Sequence, residues 1–176
     1  MKKITLIFAL LTITPTYTIF DFGENKKAEN WIIVDDVVMG GRSSGNFYIN
    51  ENGHGVFEGN VSLENNGGFS SLRYQFNRVS TQPYSKIVLR VKGDAKRYQF
   101  RIKNNTSDYY SYISYFMAPE QWETIEIPMN NMYPTFRGRK LNMPDFSGNS
   151  IEEIAFLIGN KKNESFKLEI DHILLK

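Results

Sequence analysis

The sequence predicts an all-β fold, an antiparallel β-sandwich of jelly-roll type, and three observations carry that reading. Short runs alternate apolar and polar side chains with period two, the signature of strands with one wet face. Gly, Asn, Pro and Ser punctuate those runs at spacings near a dozen residues, as in two-sheet sandwiches. No stretch keeps a 3.6-residue apolar period for longer than a turn or two.

The strands follow in order from Trp31. Phe69, Leu72, Tyr74 and Phe76 mark a first clear run. Ile87, Leu89 and Val91 alternate with Val88, Arg90 and Lys92, and Tyr98, Phe100 and Ile102 alternate with Gln99, Arg101 and Lys103. Lys92-Gly93-Asp94-Ala95-Lys96 is turn chemistry between them, so Lys86–Lys103 reads as a hairpin. Tyr109 to Phe116 is aromatic on both parities and Ile154 to Ile158 is apolar throughout, which suits central strands. Trp122 to Ile127 is a run that Pro128 stops, and Phe166, Leu168 and Ile170 alternate with Lys167, Glu169 and Asp171. Ser150-Ile151-Glu152-Glu153 has the capping pattern of a short helical turn. Met129 to Asn149 carries no strand pattern and reads as a long loop, of the kind that is functional or packed on its own side chains. Trp31 and Trp122 are both expected in the core.

The chain has 176 residues with 21 Lys+Arg, 19 Asp+Glu, two His and no Cys. That length is one domain with a core large enough to fold without staples. The absence of cysteine removes disulfides, thiolate metal sites and a cysteine nucleophile, and His54 and His172 are too far apart to suggest a metal cluster. No cofactor is expected.

Residues 1–18 have the layout of a secretory signal peptide: Lys2-Lys3, the apolar run Ile4 to Leu11, then a polar stretch with the small pair Thr16 and Thr18. The organisation expected is a signal peptide over 1–18 and one β-sandwich domain over 19–176, exported to a periplasmic or cell-envelope location. Membrane association would follow only if the signal segment stays uncleaved. Without Lys2 and Lys3 the remainder holds 19 basic and 19 acidic residues. A balanced domain lacks the electrostatic attraction that holds proteins on nucleic acid, which is excluded as a partner.

Three polar, Gly-rich pieces are the candidate binding residues: Asp36 with Gly40, Gly41 and Ser43; Glu64 with Gly67, Gly68 and Arg73; and Arg137 with Gly138. Each has a plain structural reading as a turn or a surface arginine. Each also suits a ligand loop, because glycines let backbone N–H groups approach a ligand and arginine forks onto carboxylate or phosphate. One arrangement explains all three together. The loops would converge, Asp36 pairing with Arg73 or Arg137, as a ligand site or as a buried clamp joining the sheets. No catalytic residue is expected. The adjacent Asp35 and Asp36 point to opposite faces in a strand, and no Ser has a nucleophile-elbow context.

Trp31, Asp36, Val38-Met39-Gly40-Gly41, Ser43, Phe57-Glu58-Gly59, Ser62 through Ser71, Arg73, Gly93-Asp94, Tyr98, Trp122, Pro128, Pro134 and Arg137-Gly138 follow the order and spacing of one family. From about Phe20 to the C-terminus the chain resembles the complex I intermediate-associated protein family. Gly93-Asp94-Ala95 stands where that family often has Gly-Asp-Gly, and Met129 and Met132 replace aromatics, implying looser packing after Pro128. The resemblance implies a galactose-binding-like sandwich and a chaperone-like role in assembling the NADH:ubiquinone oxidoreductase. The expected partner is thus a protein, a respiratory-complex subunit if that role holds. The alternative is a glycan, bound by a carbohydrate-binding or carbohydrate-active accessory domain.

Overall fold

The computed structural model describes residues 15–25 and 28–176. Among these, thirteen strands follow in order: β1 (Tyr17–Asp21), β2 (Trp31–Asp35), β3 (Ser44–Ile49), β4 (Gly55–Val61), β5 (Ser70–Ser80), β6 (Lys86–Lys92), β7 (Arg97–Lys103), β8 (Ser111–Met117), β9 (Glu123–Pro128), β10 (Tyr133–Phe136), β11 (Arg139–Lys140), β12 (Ser150–Ile158) and β13 (Glu164–Leu175). They form two antiparallel sheets. One runs β3-β4-β13-β6-β9 with β1 added on β13; the other runs β11-β10-β8-β7-β12-β5-β2. The sandwich expected from alternation is the observed fold.

The period-two pattern sets the core directly. Ile87, Leu89 and Val91 of β6 and Phe57 of β4 face Tyr98, Phe100 and Ile102 of β7 and Ile154, Phe156 and Ile158 of β12, and all are buried. Phe57 packs on Phe166 at 4.7 Å between ring centroids, and Phe100 meets Phe156 edge-on at 5.2 Å. A second aromatic group closes one end, where Trp31 stacks on Tyr74 at 4.8 Å and touches Phe20, Phe22 and Phe47. In β13 the register shifts between Ile170 and His172. That bulge keeps Phe166, Leu168 and Ile170 on the same inner face as Ile173 and Leu175, although the two groups differ in parity.

The structure corrects several expectations. Lys86–Lys103 is not a hairpin: β6 pairs with β9 and β13, whereas β7 pairs with β8 and β12 in the other sheet. In a hairpin the apolar faces of β6 and β7 would lie side by side. Here the turn crosses between layers, so the same two faces pack against each other through the core. Asp94 holds that crossing, accepting from the Tyr98 hydroxyl (3.2 Å), the Lys96 ammonium (2.8 Å) and the backbone N–H of Lys167 (2.9 Å). Burial, with Asp94 beside it, pushes the Tyr98 hydroxyl's pKa far up.

Ser150-Ile151-Glu152-Glu153 begins β12 rather than a helical turn, because Ser150 and Ile151 pair with Ser80 and Val79. Met129 to Asn149 is not strandless: β10 pairs with β8 and β11. Met129 and Met132 are buried, so packing after Pro128 is tight. Trp31 lies in the core as expected, but Trp122 does not. It precedes the edge strand β9, is half-buried and packs on His54 at 4.5 Å. The signal-peptide reading falls mostly outside the described residues. Tyr17 and Thr18, at its end, are paired in β1 with Leu175 and Leu174.

Candidate functional site

Asp36 opens a single 3-10 turn, Asp36–Met39, that ends at Gly40 in the left-handed conformation (φ 89°). Its carboxylate is fully buried. Oδ1 accepts the backbone N–H of Ser43 at 2.9 Å; Oδ2 accepts the Ser43 hydroxyl and the N–H groups of Gly68 (2.5 Å) and Phe69 (3.1 Å). Ser43 Oγ in turn accepts the N–H of Ser62 at 3.0 Å. One carboxylate therefore ties the ends of β2 and β5, in one sheet, to the segments flanking β3 and β4 in the other. Burial raises the Asp36 pKa, but the hydrogen bonds from Ser43, Gly68 and Phe69 outweigh it and hold the carboxyl below the usual range. A side chain at Gly41 or Gly67 would overlap the carboxylate, so both positions need glycine for close approach.

The expected pairing of Asp36 with Arg73 or Arg137 does not occur, since backbone N–H groups and one hydroxyl occupy the carboxylate. The two arginines come together elsewhere. With Gly67, Gly68 and Gly138 they line a cleft of about 590 Å³ on the outer face of the seven-stranded sheet. Gly40, Gly41 and Ser43 belong to the Asp36 clamp and do not line it, and Glu64 pairs with Arg42 on the surface at 2.8 Å.

Strand register lays out the cleft floor. One row runs Val34, Ser71, Leu157, Gln99, Tyr115 across β2, β5, β12, β7 and β8. The next runs Arg73, Ala155, Arg101, Ile113, Tyr133 across β5, β12, β7, β8 and β10. Exposed rings of Tyr109, Tyr115 and Phe136 edge the same cleft. Glu153, a buried acid in its lining, accepts from Gln75 Nε2 at 2.7 Å. Burial, then repulsion from Arg73, lowers the Arg101 pKa to about 10, with Glu153 partly offsetting this. Arg101 goes unmarked in the sequence because it sits at a polar position of a regular strand, and Glu153 because the sequence reads it into a capped turn and not into the start of β12. Polar parity signals an outward face and not whether that face is a cleft.

No group of three or more His, Cys, Asp or Glu residues suited to a metal occurs among the described residues. No helix among them is long and apolar enough to cross a membrane.

A family model described as complex I intermediate-associated protein 30 (CIA30) matches residues 20–170. The chain belongs to this family. Relatives in the CIA30 family include a Mus musculus protein named complex I intermediate-associated protein 30, mitochondrial. It is 25% identical over 88% of this chain and 54% of its own length. A Caenorhabditis elegans protein, named as a probable mitochondrial member, is 24% identical over 88% of this chain and 52% of its own. The chain thus spans about half the length of these curated relatives. The expectation of an exported, periplasmic or cell-envelope location is corrected by their names, which are those of mitochondrial proteins.

Solved structures share the fold. The family 11 carbohydrate-binding module of the cellulosomal cellulase Lic26A-Cel5E from Clostridium thermocellum superposes with a TM-score of 0.68 at 21% identity, over 93% of this chain and 95% of that one. The module in complex with a β-1,3-1,4-mixed-linked tetrasaccharide gives 0.67 at 20% identity, over 93% and 96%. At such identity the likeness establishes the CIA30 chain's jelly-roll sandwich and nothing finer.

Proposed function

We propose that this chain is a non-catalytic binding module that holds a protein partner in the outer-face cleft, in a chaperone-like role on a respiratory-complex subunit. The sandwich of residues 19–176 acts as one unit in this reading. The observation that carries it is the lining of the cleft: rings and polar groups spread over six strands, with Glu153 engaged by Gln75. Hydrolysis of a glycosidic bond calls for two opposed carboxylates about 5–10 Å apart, and no second acid lines this cleft among the described residues. Family membership supports a protein as the occupant, since the relatives' names associate them with complex I intermediates. The mitochondrial names of those relatives support a mitochondrial setting.

A glycan is the second reading, favoured by the exposed rings of Tyr115 and Phe136 beside Gln99, which together could stack on and hydrogen-bond a sugar.

A photo-crosslinking residue at position 115, within the cleft, and another at position 48, on β3 of the other sheet, test the first reading in mitochondrial extract. A respiratory-complex subunit captured from 115 and not from 48 is the expected result. Capture of such subunits equally from both positions, or from neither, overturns it. Retarded migration in a neutral glucan gel, abolished by Tyr115→Ala with Phe136→Ala, would establish the glycan reading instead. These exposed substitutions should shift the melting temperature little, because surface changes of this kind stay within about 1 kcal/mol.

A further inference from the structure

The floor of the cleft carries charge that the protein does not neutralise. Arg73, Arg101, Lys103, Arg137 and Lys140 line it against the carboxylate of Glu153. The whole chain is nearly balanced, with 21 basic and 19 acidic residues, so this excess is local. Several of these cations have company: Lys103 donates to the carbonyls of Thr106 and Asp108, Arg137 lies over Phe136, and Lys140 lies over Tyr133. Arg73 and Arg101 are different. Arg73 makes no hydrogen bond or ion pair with a described residue. Arg101 makes one long contact, from Nη2 to Thr135 Oγ1 at 3.4 Å, and its Nε is buried without a partner.

Their spacing is that of a receiving site. Arg73 on β5 and Arg101 on β7 both stand opposite Ala155 on the strand between. Adjacent strands lie about 4.8 Å apart, so the two stems rise roughly 10 Å apart with only a methyl group between them. Two guanidinium forks can close on one carboxylate set in that gap. Apolar side chains share the lining, with Leu157 and Ile113 on the floor beside the arginines and Met39 and Phe136 also bordering the cleft. Such a mixture suits the alkyl side chains of a peptide better than a sugar covered in hydroxyls.

We infer that Arg73 and Arg101 form a carboxylate-binding subsite, which receives an Asp or Glu side chain from an extended protein segment of mixed acidic and apolar character. The inference rests on the protein-partner reading above and names the chemistry of that partner. Arg73 anchors the acid from one side of Ala155, and the Arg101 guanidinium, which the fold engages through one long contact, closes on it from the other. Ala155 is the gap that admits it.

The probe is a fluorescently labelled short peptide alternating Glu and Leu, compared with its Gln-for-Glu counterpart by fluorescence anisotropy on the full chain. The Glu peptide should bind about tenfold or more tightly than the Gln peptide, and Arg73→Gln should erase about that factor, the scale of a charge-assisted hydrogen bond. Arg73→Lys should restore only part, because it returns the charge without the fork. Raising sodium chloride should weaken binding of the Glu peptide to the unaltered protein, a result that stands even if a variant folds poorly.

Equal affinity for the two peptides, no binding of either, salt-insensitive binding, or an unchanged affinity in a folded Arg73→Gln would each overturn the subsite. Tighter binding of oligogalacturonate than of the Glu peptide would overturn the peptide as occupant. Crosslinking of a respiratory subunit from position 115 persists if only the subsite is wrong and disappears if the protein-partner reading is wrong, so the two failures are told apart.

Discussion

Asp36→Ala should destabilise the domain by about 3–5 kcal/mol, because it strands several buried donors at once. The N–H groups of Ser43, Gly68 and Phe69 lose their acceptor, and the Ser43 hydroxyl is left with the Ser62 carbonyl at 3.3 Å. For a domain of ordinary stability, about 5–15 kcal/mol, that is a large share. Urea denaturation followed by circular dichroism measures it, and a change under about 1 kcal/mol would refute the clamp.

The pH dependence follows from the same bonds. The folded carboxyl titrates below its unfolded value, so its contribution is complete above the unfolded carboxylate pKa and is lost as pH falls through the folded one. Asp36→Asn, which cannot ionise and turns an amide donor toward other donors, should therefore be less stable at neutral pH. Its deficit should shrink as pH drops below about 4, the ordinary carboxylate range. A deficit independent of pH would show that charge at this position is irrelevant.

Trp31→Ala should cost about 3–5 kcal/mol, the usual penalty for emptying a large aromatic site. The ring is buried among Phe20, Phe22, Phe47 and Tyr74, with centroid distances from 4.8 to 5.5 Å. Trp31→Phe should cost much less, because it keeps ring packing and removes an indole N–H that has no hydrogen-bond partner. Trp122→Ala should cost about 1 kcal/mol or less, since this half-buried ring packs on His54 at the sheet edge. Guanidinium denaturation of the three variants ranks them. Comparable losses at Trp31 and Trp122 would contradict the packing described.

How far the sequence could be read divides along physical lines. Which side of a strand turns inward is a local property, because successive side chains leave opposite faces. Ile87, Leu89 and Val91, or Tyr98, Phe100 and Ile102, are therefore legible as core from alternation alone, and so is the two-layer fold that such strands need. The Gly-rich pieces around Asp36 and Gly67 were legible as special because core packing has no use for their composition. The bonds that occupy Asp36 were not, since its partners are backbone N–H groups, and these look alike at every position.

Which sheet a strand joins is decided by partners far away in the chain. The turn at Lys92–Lys96 has the same chemistry whether β7 folds back beside β6 or crosses to the other layer, and pairing with later strands, β9 and β13 for β6 and β8 and β12 for β7, selects the crossing. The bulge in β13 and the edge position of Trp122 arise in the same way. The cleft does too. Arg73 and Arg101 lie on strands that touch each other only through β12, so no spacing in the sequence announces them as neighbours. Alternation decided that both arginines face outward; the long-range pairing of β12 between their strands decided that they face each other across Ala155.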